Sequence, residues 1–295
     1  MSKSKKRIAV CIYGTWRGWD VAKHQILNIK HEINIRLNET VDQTLYIDYF
    51  ISTWDNNLEF TIEKDVITGE SHQPIDVDKI KSDFDECNLV SMQTFKQIEI
   101  KDFSRCANSG FSSYLAQQAM LEKAMYESKY NFTYDYAMFI RPDVVYNFRM
   151  YDSVRHYILD ADKWISKIPS RSVVVESNIE YTFDYYIGVY VGDVFWFGSS
   201  VASDLYFQLY DNTFRRTPDK NTLVSASHTV NAMHMMYCNL HVYHLFVSFH
   251  FIRPNMYHIS NKIGDIEWAS NCWDELEIME KEWDGIMDTY YRRNG

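Results

Sequence analysis

The sequence predicts an α/β chain with a mainly parallel sheet covered by helices. Three observations carry that expectation. Short apolar runs of strand length alternate with helix-periodic segments over the first 145 residues. The runs are near-continuous rather than alternating, as strands buried on both faces require. One of them ends at Gly14 and another runs straight into Arg141, Pro142 and Asp143, the pattern of strand ends that open into loops.

Taken in order, "RIAVCIYG" is a buried strand ended by Gly14. Val21, Ile26, Ile29, Ile33 and Leu37 then recur as one helical face, so residues 21–37 are expected to be helical. "LYIDYFISTW", Leu45 to Trp54, is the second strand. From Asp55 to Ser82 the composition turns polar and acidic, and an irregular excursion is expected before a strand near residues 90–100. "SGFSSYLAQQAMLEKAMYESKY" is rich in Ala, Leu, Met, Glu and Gln and reads as a helix preceded by turn residues. It feeds the apolar strand Ala137 to Ile140, which runs into Arg141, Pro142 and Asp143. The second half, with "RSVVVES", "GDVFWFGSS" and "HVYHLFVSFHFIRPNMYHI", reads as mixed strands with intervening helices. An amphipathic helix is expected at "WDELEIMEKEWDG".

Composition narrows the functional classes. A chain of 295 residues with 46% hydrophobic and 24% charged content can bury a large core. Its net charge of −10 argues against sequence-independent wrapping of nucleic acid, which depends on neutralising phosphates. The aromatic share of 16% offers flat apolar faces with polar edges, suited to sugar rings and bases as well as to cores. The five cysteines, Cys11, Cys87, Cys106, Cys238 and Cys272, are scattered and include no C-x-x-C pair, so neither a disulfide framework nor a zinc site is expected. The apolar run at residues 8–12 is too short for a signal peptide, and no segment reaches the ~18 to 20 apolar residues of a membrane span. A cytoplasmic location follows as the expectation.

Parallel α/β sheets gather ligands at the carboxyl ends of their strands. Three loops fall there. "YGTWRGWD" offers Gly14 and Gly18 for close backbone approach, Arg17 as a cation, and Trp16 and Trp19 as stacking faces. The same residues serve equally well as a plain strand-to-helix turn. In "FIRPDVVY", Pro142 cannot donate a ladder hydrogen bond, so the strand ends and Asp143 projects from the rim. There Asp143 suits magnesium or manganese and Arg141 a phosphate oxygen, or the two pair with each other. In "VGDVFWFGSSVASDLY", Asp193 is a candidate general base, with Asp184 as a rival, while Ser199 or Ser200 caps a following helix. The histidines His228, His234, His241, His244, His250 and His258 crowd the second half, but no H-E-x-x-H helix marks them as ligands. Arg215, Arg216 and Lys220 form a basic loop.

Together "RIAVCIYGTWRGW", "DYFISTWD", the helix bearing Gln117 and Gln118, "YDYAMFIRPDVVY" and "DVFWFGSS" resemble the small GT-A-type glycosyltransferases of bacteria, phages and large viruses. The likeness runs in the same order over most of residues 7 to 200. It implies one domain spanning 1–295, with a nucleotide-sugar-binding half at about 7–145 and an acceptor-side half at about 146–295. It further implies a nucleotide-sugar donor held by Gly14, Arg17, Thr53, Trp54, Asp55 and Gln117, with Asp143 at the place of the metal-binding motif. Asp193 stands on the acceptor side as base and Arg141 beside the leaving diphosphate. The usual D-x-D is here R-P-D, so one carboxylate stands where two often share Mn2+ or Mg2+, and Arg141 can supply the positive charge instead. The implied acceptor is a hydroxyl, on a glycan or on a modified DNA base if the source is a phage. In the phage or viral case the location is the host cytoplasm. The alternative is a non-catalytic module that binds a nucleotide or glycan.

Overall fold

The computed structural model describes residues 4–16, 19–38, 43–63, 66–96, 107–146, 154, 158, 172–176, 195–214, 234, 238, 240–245 and 249–251. Its centre is a seven-stranded sheet in the order β10-β8-β9-β6-β1-β2-β5. The strands are β1 (Ser4–Gly14), β2 (Gln43–Trp54), β5 (Asn88–Phe95), β6 (Tyr136–Ile140), β8 (Ser172–Glu176), β9 (Phe195–Ser199) and β10 (His241–Leu245). β1 pairs in parallel with β2 and β6, β2 with β5, and β10 with β8; β9 alone runs antiparallel, between β6 and β8. The mainly parallel α/β architecture expected from the sequence is therefore present.

β1 explains the layering. Ile8 through Ile12 are fully buried, and their side chains alternate between two cores. Ile8, Val10 and Ile12 join Tyr49, Ile51, Met138 and Ile140 beneath α1 (Trp19–Leu27) and α2 (Ile29–Asn38). Ala9 and Cys11 join Phe50 and Phe139 beneath α4 (Ala107–Tyr130) and α5 (Ser200–Tyr206). Helices thus cover both faces, and a strand apolar on both sides is what that sandwich demands.

Local signals account for the helix ends. α4 stops where Asn131 takes a left-handed conformation at φ 52°, with the Phe132 N–H donating to the Glu127 carbonyl and the Asn131 N–H to Ser128. That is the helix-ending pattern in which Asn substitutes for Gly. Ser199 caps α5, its hydroxyl accepting from the Ala202 N–H at 3.1 Å, which decides between the two serines considered as caps.

Two expectations need correction. Residues 21–37 form not one helix but α1 and α2, separated by a turn at Asn28. The polar stretch after Asp55 is not irregular. It contains the antiparallel hairpin of β3 (Asn56–Glu63) and β4 (Val66–Pro74), then α3 (Val77–Asp83), capped by Asp76, whose carboxylate accepts from the Lys79 N–H at 2.9 Å. A ladder of backbone hydrogen bonds needs no apolar run, so polarity alone was a poor guide there. β7 (Val144–Tyr146) and β11 (Phe249–Phe251) form a second small antiparallel pair. Among the described residues no helix is long and apolar enough to cross a membrane. The expected helix at "WDELEIMEKEWDG" lies outside the described residues.

Candidate functional site

The chain leaves β1 for β2 and β5 on one side, then returns to β6 on the other side of β1. The carboxyl ends of β1 and β6 therefore flank a topological switch point, the place at which open α/β sheets form their ligand crevices. Register fixes what stands there. Gly14 lies opposite Thr53 at the ends of β1 and β2, and Ile12 lies opposite Ile140, the last residue of β6 before Arg141.

Gly14 holds φ +122°, which side chains rarely permit. A β-carbon there would meet Pro142 Cδ at 3.7 Å and Arg141 Nε at 4.0 Å, so the R-P-D turn folds directly against the end of β1. The Thr53 hydroxyl donates to the Gly14 carbonyl at 2.8 Å, tying the first two strand ends together. Gly14, Thr53, Arg141 and Asp143 are thus brought to one edge by three separate strands.

The charges at the end of β6 satisfy one another. Arg141 Nε and Nη2 donate to the two oxygens of Asp143 at 2.9 Å each. Arg141 is 7% exposed and Asp143 fully buried. Of the two readings of this pair, the mutual one is realised. The turn is held further by the Arg141 N–H, which donates to the Tyr146 hydroxyl at 3.0 Å. Tyr146 is in turn clamped to α1: its N–H donates to Gln25 Oε1 at 2.9 Å, and Gln25 Nε2 donates to its carbonyl. Gln25 and Tyr146 were missed in the sequence, where neither stands next to a charge or a glycine; only their tertiary partners mark them.

A divalent ion at Asp143 fits poorly with this arrangement. Magnesium and manganese gather several hard oxygen ligands, yet both Asp143 oxygens accept from a guanidinium. No group of three or more His, Cys, Asp or Glu side chains placed to hold a metal occurs among the described residues.

The remaining expected residues separate. Trp54 is 4% exposed and lies parallel to Tyr114 of α4, ring centroids 6.1 Å apart, so it is core rather than an open face. Trp16 and Trp19, read as stacking faces, are buried as well. Trp19 stacks on Phe84 at 5.5 Å and its indole N–H donates to Asp83 at 2.7 Å. Large aromatic surface is worth more against a core than in solvent, and Phe84 and Tyr114 offer it partner rings there. Asp55 is half-buried, accepts from the Asn56 amide at 3.0 Å, and anchors the entry to the hairpin through its backbone bonds with Phe95 and Ile75. Gln117 binds Asp211 at both ends of its amide, donating at 2.7 Å to the carboxylate and accepting at 3.1 Å from the backbone N–H. That joins α4 to the π-helical turn Tyr210–Phe214. Arg17, Asp193, Asp184, Arg215, Arg216 and Lys220 lie outside the described residues.

A second polar cluster was not anticipated. Lys123 of α4 is fully buried, donates to Glu127 at 2.9 Å and to the Ser200 hydroxyl, and pairs with Asp204 at 2.8 Å. Ser200 and the Tyr134 N–H both donate to the other Glu127 oxygen, each at 2.7 Å. Burial pushes the Asp204 carboxyl upward against the pull of Lys123. Lys123 and Glu127 continue the buried stripe of Ala116, Ala119 and Met120 at helical spacing, and that was the legible signal.

No family model matches the chain, and no curated protein matches it. Among the solved structures that resemble it are two bacterial proteins. One, from Bacillus anthracis, is described as a glucose-1-phosphate thymidylyltransferase in complex with a sucrose; it is 7% identical over 88% of this chain and 94% of that one, at a TM-score of 0.41. The other, from Desulfovibrio desulfuricans G20, is described as a nucleotide-diphospho-sugar transferase; it is 11% identical over 83% of this chain and 80% of that one, at a TM-score of 0.34. At those values neither likeness bears on activity, and the fold rests on the strand order and register above.

Proposed function

We propose that the chain is a glycosyltransferase that uses a nucleotide-diphospho-sugar, with the donor diphosphate in the crevice between the carboxyl ends of β1 and β6. The observation that supports it is the close approach of a positive-φ glycine to Arg141 at the switch point of the sheet. Glycine lets backbone amides approach a phosphate, and a guanidinium carries five N–H donors, more than the two that Asp143 accepts from Arg141. In the reaction the acceptor oxygen attacks the anomeric carbon as the bond from that carbon to the diphosphate oxygen breaks. The electron pair leaves on the diphosphate, whose growing charge Arg141 stabilises, and the acceptor proton passes to a carboxylate, for which Asp193 is the candidate. Gly14, Thr53 and Asp55, with Arg17, hold the nucleotide side. The acceptor is a hydroxyl of a glycan; a modified DNA base is the other class, disfavoured by a net charge of −10.

Thermal unfolding with UDP-, GDP- and CMP-sugars, each with and without Mn2+, tests the reading. A donor at ~100 times its Kd stabilises the fold by about 2.7 kcal/mol, roughly 4 °C for a domain of this size. The Arg141→Lys variant keeps the charge but loses the fork, and the donor-induced rise should shrink. No rise with any donor, or an undiminished rise in Arg141→Lys, refutes the proposal. The manganese arm decides whether a metal takes part.

The mutual Arg141–Asp143 pair favours a second reading, a module that binds nucleotide or glycan without turning it over. Donor binding without hydrolysis or transfer would select it.

A further inference from the structure

At the amino edge of the sheet, on the face covered by α4, three exposed cations lie against aromatic rings. Lys5 and Arg7 alternate along β1 with Lys6, so they share the face of Ala9 and Cys11, beneath α4. Lys129 stands in the last turn of α4. Lys5 Nζ is 5.7 Å from the ring centre of Tyr46, the Arg7 guanidinium 4.5 Å from that of Phe132, and Lys129 Nζ 5.2 Å from that of Tyr130. Tyr126 joins the rings, with centres 4.6 Å from Tyr130 and 5.8 Å from Phe132. Register sets Arg7 opposite Tyr46. Tyr46 is 42% and Tyr130 55% exposed, so two phenol faces are open to solvent beside the cations.

The chain carries a net charge of −10, yet among the described residues no carboxylate pairs with the side chains of Lys5, Arg7 or Lys129. The local acids are engaged elsewhere. Asp48 accepts from the Tyr134 hydroxyl and the Asn88 amide, while Asp135 accepts the Arg7 backbone N–H and pairs with Lys6 at 3.7 Å. Burial, Asp48 and Tyr130 raise the Tyr126 phenol above its ordinary pKa, and Arg7 and Lys129 oppose them, so both cations act on that one hydroxyl. Charges beyond a screening length of about 8 Å are largely damped at physiological ionic strength. The field at this edge is therefore set by its own three cations more than by the acidity of the whole chain.

Open aromatic faces interleaved with unneutralised cations fit a ligand that alternates planar rings with anions. A single strand of nucleic acid has that form, whereas a duplex keeps its bases stacked inside. We propose that Lys5, Arg7 and Lys129 hold phosphates of a short single-stranded nucleic acid whose bases stack on Tyr46 and Tyr130. A base on either ring carries its phosphate to the adjacent cation, and the Tyr126 hydroxyl can donate to a phosphate oxygen between Arg7 and Lys129. The surface lies at the opposite end of β1 from Gly14, about 25 Å away at the rise of a strand. It is separate from the donor crevice and does not depend on the function proposed above.

Fluorescence anisotropy of a labelled oligothymidylate of about 12 nucleotides, titrated with the full-length chain, tests the assignment. Three phosphate contacts on a single strand set a slope of about −2 for the logarithm of affinity against that of salt, so binding should weaken about 15- to 20-fold from about 50 to about 200 mM. Lys129→Gln should reduce the slope to about −1.4. Tyr130→Ala should weaken the oligothymidylate at least about fivefold and leave an abasic strand of equal length unchanged. Both positions are exposed, and far-UV circular dichroism checks the fold. The wild-type chain gives an independent readout, since it should prefer the oligothymidylate to the abasic strand by about fivefold or more. No binding at low salt, equal affinity for the two strands, a stronger response to phosphatidylserine vesicles than to the oligothymidylate, or an unchanged slope in folded Lys129→Gln overturns the proposal.

Discussion

Removing one member of the Arg141–Asp143 pair should destabilise the protein far more than removing both. The two groups are 7% and 0% exposed and share two hydrogen bonds of 2.9 Å. Hydrogen bonds to charged groups contribute about 1.5–3 kcal/mol each, and stranding one charge of a buried pair costs about 3–5 kcal/mol. The two routes agree on roughly 4 kcal/mol for Asp143→Leu or Arg141→Met, a large share of a stability of about 5–15 kcal/mol. With a urea m-value of about 3 kcal/mol/M, that loss moves the midpoint down by about 1.3 M. In the double variant no charge is stranded and apolar atoms fill the space, so its midpoint should lie above that of either single variant. Urea unfolding followed by far-UV circular dichroism, with the slope checked for constancy, reads all four proteins. Single losses below ~1 kcal/mol, or a double variant that simply sums the singles, would show that the pair is not formed and buried as described.

Other consequences follow from the same physics. Lys123→Met leaves Glu127 and Asp204 facing each other without their cation and should cost about 3–5 kcal/mol in urea unfolding; a loss under ~1 kcal/mol would mean water reaches the cluster. Gln117→Leu should cost about 1–2 kcal/mol through the lost bonds to Asp211. If the amide is only a tether, this variant leaves donor-induced thermal stabilisation unchanged, and a variant that keeps its stability but loses the donor response would return Gln117 to the binding site. His234 gives a pH dependence. It is neutral in the fold and gains a proton in the unfolded chain as pH falls below about 6.5. Its contribution is thus complete above that value and is lost as pH falls through the depressed folded pKa. The melting temperature should drop between pH 7.5 and 5.5, and His234→Gln should flatten the slope; an unchanged slope would place the loss on other groups.

Much of the fold was legible because its signals are local. β1, β2, β6 and α4 follow from runs of apolar residues at strand or helix period, and their ends follow from Gly14, Pro142 and Asn131. The hairpin of β3 and β4 was not legible, since its strands are polar and pair only with each other. The site was legible in part. Strand polarity alone predicted that the loops after β1, β2 and β6 would meet, and Gly14, Thr53, Arg141 and Asp143 do. The burial of Trp16, Trp19 and Trp54 and the tie of Gln117 to Asp211 were not legible, because a tryptophan in a turn looks the same in sequence whether it faces solvent or Phe84.

The amino-acid order by itself determined β1, β2, β6 and α4, and at which edge of the sheet Gly14, Thr53, Arg141 and Asp143 meet. Period and turn preference act over a few residues and need no knowledge of the partner. Tertiary structure alone decided that Arg141 embraces Asp143, that Lys123 is buried among Glu127, Ser200 and Asp204, and that His234 and Cys238 meet the carbonyl of Leu205. The stability of a charge, a thiol or an aromatic face depends on what surrounds it, and most of those surroundings come from residues far away along the chain.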